Sequence, residues 1–203
     1  MSTELATLAA RTYAALVHYP VYDRRGEVVT TAVTNLDIHD IARSTRTYGL
    51  AGYYLVTPIQ LQQDMIGRIL GHWQDGPGKA VHPDRAEALD RVKVMPSLAQ
   101  MRADIAARHG GVACETTATA AKQRGDNAVK TIGYTAWQGT AGASAAPQLV
   151  LFGTGWGLTT ELLGQCDRIL LPIQGKSDYN HLSVRSAVAV TLDRLFADRA
   201  GDA

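Results

Sequence analysis

The stretch Leu171–Leu195, LPIQGKSDYNHLSVRSAVAVTLDRL, joins two pieces of opposite chemistry. Around Gly175 it is crowded with hydrogen-bonding side chains: Lys176, Ser177, Asp178, Tyr179, Asn180 and His181. From Leu182 it becomes apolar nearly all the way round until Asp193, with Ser183, Ser186, Ala187 and Ala189 offering small contact surfaces. A helix without a polar face is buried on most sides. In a chain this small the burial is completed by a second copy of the protein as well as by its own sheet, or by the sheet alone if the helix is central to a monomer. Just upstream, RILLPI reads as a strand, so the unit is strand, polar loop, buried helix.

The same alternation runs back along the chain. QLVLFG is a strand followed by the loop GTGWG and the helix GLTTELLGQ. RVKVMP precedes the helix SLAQMRADIAARHGG, and GYYLVTP precedes IQLQQDMIGRILGHW, with a loop around GPGKAVHPD between these pairs. YAALVHYPVY reads as a buried strand, DRRGE as a turn, and VVTTAV as an extended return. Strands alternating with helices predict an α/β fold with a doubly wound, mostly parallel sheet. Between Val112 and Gly142 the chain is rich in Ala, Thr and Gly around KQRGDNAVK, and only VKTIGY is assigned there, as a strand. One domain over residues 1–203 is expected.

The segment TNLDIHDIARSTRTYGL is the clearest amphipathic helix. Ile38, Ile41, Ala42 and Thr45 fall on one stripe, and His39, Arg43 and Arg46 on another. Thr34 and Asp37 have capping-box spacing, Asn35 and Asp37 are alternative caps, and Gly49 marks the end. The cationic stripe is either a solvated face or part of a site.

Three glycine-bearing loops each follow a predicted strand: GYTAWQGTAG, GTGWG and IQGKSDYNHLS. In an open parallel sheet ligands bind beyond the carboxyl ends of the strands, so the three loops can converge on one cofactor; each is also readable as a simple tight turn. Gly153-Thr154-Gly155 begins a dinucleotide fingerprint, but position 158 is Leu158, and little chain remains for a second nucleotide-binding half. A nicotinamide oxidoreductase is therefore the weaker reading.

Composition narrows the classes. The chain is 46% apolar and 19% charged with a net charge of +1, so a nucleic-acid partner must be held by a local patch rather than by overall charge. Cys114 and Cys166 lie far apart without a CxxC pattern, which argues against a zinc site or disulfide framework and suits the reducing cytoplasm. No segment reaches the roughly 20 apolar residues of a membrane span, so a soluble protein is expected. No HxxxH, carboxylate cluster or GxSxG points to a metal or a serine nucleophile. His18, His72, His82 and His109 carry no functional argument at this level.

Three pieces resemble the SPOUT superfamily of S-adenosylmethionine-dependent RNA methyltransferases. NLDIHDIARSTRTYG is similar to the early motif of the ribose-methylating branch, with Arg43 and Gly49 in place. LVLFGTGWGLTTELL resembles its strand, glycine loop and helix. The Leu171–Leu195 stretch resembles its final motif at Pro172, Gly175, Ser183 and Val184. IGYTAWQG and SDYNHLS also resemble the cofactor loops of the tRNA guanine-N1 methyltransferase branch, and the pattern is most similar to a small bacterial family like the C-terminal part of those enzymes.

The resemblance implies a C-terminal deep trefoil knot, a homodimer across it, S-adenosylmethionine as methyl donor, and tRNA or rRNA as substrate. It implies donor binding by Tyr134, Thr135 and Ala136; by Gly153, Thr154, Gly155 and Trp156; and by Ile173, Gly175, Leu182 and Ser183. Departures bear on the acceptor: Asp37 stands where the ribose-methylating pattern has Asn, Asp40 where it has Ala, and Tyr179-Asn180-His181 where it has Ser-Leu-Asn. Asp178 is the first candidate base if a guanine nitrogen is methylated. Arg43 would bind phosphate or assist a ribose hydroxyl, and His181 would move the proton or cap the helix. Arg24, Arg25, Arg43, Arg46 and the Lys122/Arg124/Lys130 stretch would grip RNA in a salt-dependent way. The rival from another class is a non-catalytic domain that binds S-adenosylmethionine or RNA.

Overall fold

The computed structural model describes residues 3–122 and 130–197, with only the backbone of Lys130; Arg124 lies outside the described residues. In chain order the elements are α1 (Thr3–Ala9), β1 (Thr12–Val17), β2 (Val21–Tyr22), β3 (Val28–Val29), α2 (Asn35–Thr47), β4 (Gly52–Val56), α3 (Gln60–Gln74), α4 (Pro77–Val81), α5 (Pro83–Leu89), β5 (Val92–Met95) and α6 (Leu98–Arg108). There follow β6 (Glu115–Ala118), β7 (Lys130–Ile132), α7 (Tyr134–Ala143), β8 (Gln148–Gly153), α8 (Thr160–Gly164), β9 (Arg168–Leu170) and α9 (Val184–Phe196).

Among the described residues seven strands form one sheet in the order β5-β4-β1-β8-β6-β9-β7, and every pairing in it is parallel. The interior strand β1 is buried along its whole length, and period-two alternation divides it between two cores. Ala14 and Leu16 join the core covered by α2, α7 and α9, while Tyr13, Ala15 and Val17 join the core covered by α6 and α8. The doubly wound α/β architecture expected from the sequence is the one observed.

Helix α2 forms as its pattern predicts. Ile38, Ile41, Ala42 and Thr45 are buried, Thr34 is the N-cap through its side-chain oxygen, and Gly49 ends the helix at φ +73°. β3 is the predicted extended return; the strand read as YAALVHYPVY ends at Val17, and its last residues form β2, which pairs with β3 in a separate two-stranded sheet.

Two expectations are corrected. The loop around GPGKAVHPD contains α4 and begins α5: Pro77 and Pro83 each occupy a first helical turn, where the missing N–H costs nothing. GYTAWQGTAG, read as a glycine loop, is helical from Tyr134. Burial of Trp137 decides it: the indole Nε1 donates to Thr117 Oγ1 at 2.8 Å, and the ring meets Phe196 edge to face at 6.0 Å. The glycines at 139 and 142 face open space, so their cost to the helix is offset by this anchor.

Helix α9 buries Val188, Thr191, Leu192, Leu195 and Phe196 against α2, α7 and the sheet, but Ser186 is exposed, and Ala187, Ala189 and Val190 stay half-buried. The single chain therefore does not cover a helix that is apolar almost all round. No helix among the described residues is long and apolar enough to cross a membrane.

Candidate functional site

Parallel pairing puts the carboxyl ends of β7, β8 and β9 at one edge of the sheet, so three of the predicted site segments gather there: the start of α7, the glycine loop after β8, and the 171–183 loop after β9. The glycine loop is rigidly held. Tyr22 donates its N–H to the Gly157 carbonyl at 2.9 Å, and Trp156 N–H donates to the Tyr22 carbonyl at 2.8 Å. Gly155 sits at φ +57°, and a Cβ there would lie 2.8 Å from the Tyr22 carbonyl oxygen. Both the dihedral and the contact require glycine. Gly155→Ala is expected to cost about 1–3 kcal/mol in a urea melt and to displace the loop from the hairpin.

Beneath this loop runs a polar chain. Thr154 Oγ1 donates to the Val17 carbonyl at 3.0 Å and pairs with Thr31 Oγ1, which in turn meets His18 Nδ1 at 3.0 Å. The Thr154 side chain is thus committed to the fold, and only its backbone is available to a ligand. His18 is fully buried, with Nε2 unpartnered, and desolvation lowers its pKa from 6.5 to about 4 against an opposing pull from Asp37. The folded state holds His18 neutral while the unfolded chain takes up a proton between these two values. The stability this group contributes is therefore complete above about pH 6.5 and declines as the pH falls toward 4. The urea midpoint should drop across that window, and His18→Gln should flatten the drop; an unchanged pH profile in the variant would refute this role.

In the 171–183 loop, Gly175 faces open space, and among the described residues no backbone group of 172–178 is bonded to another backbone group. Leu171, Trp156, Tyr179 and Leu182 are exposed apolar side chains on the same loops. Asn180 Nδ2 donates to the Ala121 carbonyl at 2.8 Å, tying this loop to the segment after β6. Asp178 and His181 are exposed, and the His181 ring lies against Tyr179 at 5.4 Å. The cap of α9 is Ser183, not His181: Ser183 Oγ accepts from Ser186 N–H at 3.2 Å. At the third segment, Thr135 and Ala136 are exposed, whereas Tyr134 is half-buried, with the Arg194 guanidinium 5.2 Å from its ring. Gly153 and Ile173 are half-buried, and a Cβ on Gly153 would lie 2.8 Å from Leu158 N.

Arg43 is placed elsewhere. It lines a cleft of about 510 Å³ between α2, α3 and α5, and among the described residues no hydrogen bond or ion pair joins it to Asp178 or His181. Arg46, its neighbour on the stripe, is paired with Glu87.

Two residues with clear roles escaped the sequence reading. Asp37 is buried and accepts from Arg185 Nη1 at 2.9 Å and from Thr34 Oγ1 at 2.6 Å, and the same guanidinium reaches Asp40 at 3.5 Å. This ion pair fastens α2 to the first turn of α9, directly below the polar loop. From sequence Asp37 is legible as a capping residue and as a departure from a motif, but not as half of an ion pair; Arg185 has no signal, being a lone cation on an apolar helix.

Residues 11–197 match a family model described as SAM-dependent RNA methyltransferase. The chain belongs to this family. It is 44% identical over 186 residues to a tRNA (guanine-N(1)-)-methyltransferase of Nitratidesulfovibrio vulgaris, an alignment covering 92% of this chain and 42% of the relative. It thus spans less than half the length of that relative. Among solved structures, TrmJ from Z. mobilis superposes with a TM-score of 0.60 at 19% identity, covering 92% of this chain and 69% of that one. The SpoU methyltransferase AviRb from Streptomyces viridochromogenes, solved in complex with AdoMet, superposes with a TM-score of 0.51 at 14% identity, covering 93% and 58%. These neighbours share the fold, which is that of SPOUT methyltransferases, and S-adenosylmethionine is the family's methyl donor.

Proposed function

We propose that this chain transfers the methyl group of S-adenosylmethionine to a guanine N1 of tRNA, using the three segments gathered beyond β7, β8 and β9. The observation that carries the reading is the loop 171–183, in which no backbone group of 172–178 is bonded to another backbone group among the described residues and Leu182 is exposed, beside a glycine loop held rigid by the β2–β3 hairpin. Backbone groups of Gly153, Thr154, Gly155, Trp156, Ile173 and Gly175 would hold the donor's polar parts. Thr135, Ala136, Leu182, the ring of Tyr134 and the start of α9 at Ser183 would border its adenosine. The donor supplies an electrophilic methyl; the chain's own task is to aim the guanine nitrogen and remove its proton. Asp178 is the base in this reading. The guanine acceptor is favoured over a ribose hydroxyl because Asp178 lies in the loop, whereas Arg43 faces another cleft.

The reading extends to assembly. A trefoil knot, in which the 171–183 loop threads the segment after β6, is consistent with the Asn180–Ala121 bond. A homodimer would bury the small residues of α9 left half-exposed in one chain. The unit would act as one domain in the cytoplasm, where Cys114 and Cys166 stay reduced. The test is calorimetry with S-adenosylmethionine, then tritiated methyl transfer to tRNA from a strain lacking the protein. Donor binding with label on N1-methylguanosine is expected. Binding without transfer to any RNA would establish a non-catalytic domain, and no binding would overturn the reading.

A further inference from the structure

The cleft between α2, α3 and α5 collects cationic groups in a way that the donor site does not explain. Its lining includes Arg43, Arg68 and Arg85, with His39, His72 and Trp73. Four other arginines are committed to carboxylates: Arg46 to Glu87, Arg108 to Asp104, Arg168 to Glu115, and Arg185 to Asp37 and Asp40. Arg43, Arg68 and Arg85 make no ion pair among the described residues, yet they share one cleft. The cleft's one carboxylate, Asp40, is already approached by Arg185.

The aromatic wall holds Arg85 in place. The Arg85 guanidinium lies 5.0 Å from the Trp73 ring centroid, and His39 and His72 meet that ring edge on at 5.5 and 5.2 Å. The ring is therefore occupied on its sides and acts as a platform for Arg85 rather than as a stacking surface for a base. Gly78 is the close-approach residue: a Cβ there would lie 2.7 Å from Trp73, so α4 can close against the ring only with glycine. His39 feels the resulting field, its pKa being lowered by desolvation first and then by Arg85, with Arg43 adding to the effect. Converging, uncompensated guanidinium groups repel one another and are relieved by an anion; an extended polyanion also gains from counterion release.

We propose that this cleft takes a phosphodiester segment of the RNA substrate, held by Arg68 and Arg85 with Arg43 beside them. The inference rests on the RNA-methyltransferase reading, but places RNA on a surface other than the three donor-binding segments. Its test uses the full chain, tRNA and a salt titration from low to moderate ionic strength. Arg68→Gln/Arg85→Gln should weaken tRNA binding about 10–100-fold at low salt and flatten the log K against log salt slope by roughly 1–2. S-adenosylmethionine affinity should stay at the wild-type value, which also reports that the variant is folded. Arg68→Lys/Arg85→Lys should keep most of the slope while losing affinity, because a point charge replaces the planar fork. Lys93→Gln/Arg108→Gln removes the same charge from the Asp104 cluster and should change the slope little.

If wild type and the double glutamine variant bind tRNA with the same slope, the cleft is not an RNA site, although the methyltransferase reading stands. If the Asp104-cluster variant loses as much as the cleft variant, net charge rather than the cleft is responsible, and the inference fails. If wild type binds no RNA but does bind S-adenosylmethionine, the RNA reading itself falls, and this inference with it.

Discussion

Asp178→Asn should slow single-turnover methyl transfer to tRNA by about 10²–10⁴-fold, the usual contribution of a positioned general base, while S-adenosylmethionine affinity stays within about twofold. The amide keeps the size of the carboxylate and much of its hydrogen bonding but does not accept the guanine proton. Asp178 lies in an exposed loop whose neighbouring backbone groups are open, so the substitution removes no fold-forming contact. His181→Ala, which takes away the ring lying against Tyr179, should have the smaller effect on rate. If Asp178→Asn transfers methyl at the wild-type rate, the base assignment is wrong. If His181→Ala then abolishes transfer, the proton goes to the imidazole instead.

Arg185→Ala should destabilise the protein by no more than the lower end of the roughly 3–5 kcal/mol for breaking a buried ion pair from one side, because Asp37 is buried but the Arg185 side chain is 31% exposed. The loss comes less from the missing attraction than from what remains. Asp37, with a side-chain exposure of 7%, would keep its negative charge with only Thr34 for compensation. Asp37→Asn/Arg185→Ala should recover part of that loss, because no orphan charge is left behind; a double-mutant cycle in urea measures the coupling. Since Arg185 lies in the first turn of α9, the single variant should also weaken S-adenosylmethionine binding by loosening the end of the 171–183 loop. A single variant as stable as wild type would show that solvent already screens the pair.

Much of this molecule could be read before its structure was known, where local chemistry leaves one choice. The Ile38, Ile41, Ala42 and Thr45 stripe allowed α2 only one buried side, and the uninterrupted apolar run of β1 required cover on both faces. The reading failed where distant residues decide. GYTAWQGTAG has the composition of a loop and becomes a helix because Trp137 finds Thr117 and Phe196. The prolines of GPGKAVHPD can end a helix or begin one, and the packing of α4 and α5 against α3 selects the second. ETTA has little apolar character, yet it becomes β6 between β8 and β9.

The sequence by itself thus determined the alternating elements, the parallel sheet and the candidate loops at its carboxyl edge, because periodicity and turn chemistry act over a few residues. Only the tertiary structure decided which charges are paired and which are free. Asp37 and Arg185 meet across 148 positions, whereas Arg43, Arg68 and Arg85, each on a different helix, share one cleft and make no ion pair among the described residues. Coulomb interactions depend on distance in space and on desolvation, and neither can be read from spacing along the chain. The 171–195 stretch contains both outcomes: a loop whose openness its own residues announce, and an arginine whose partner only the fold supplies.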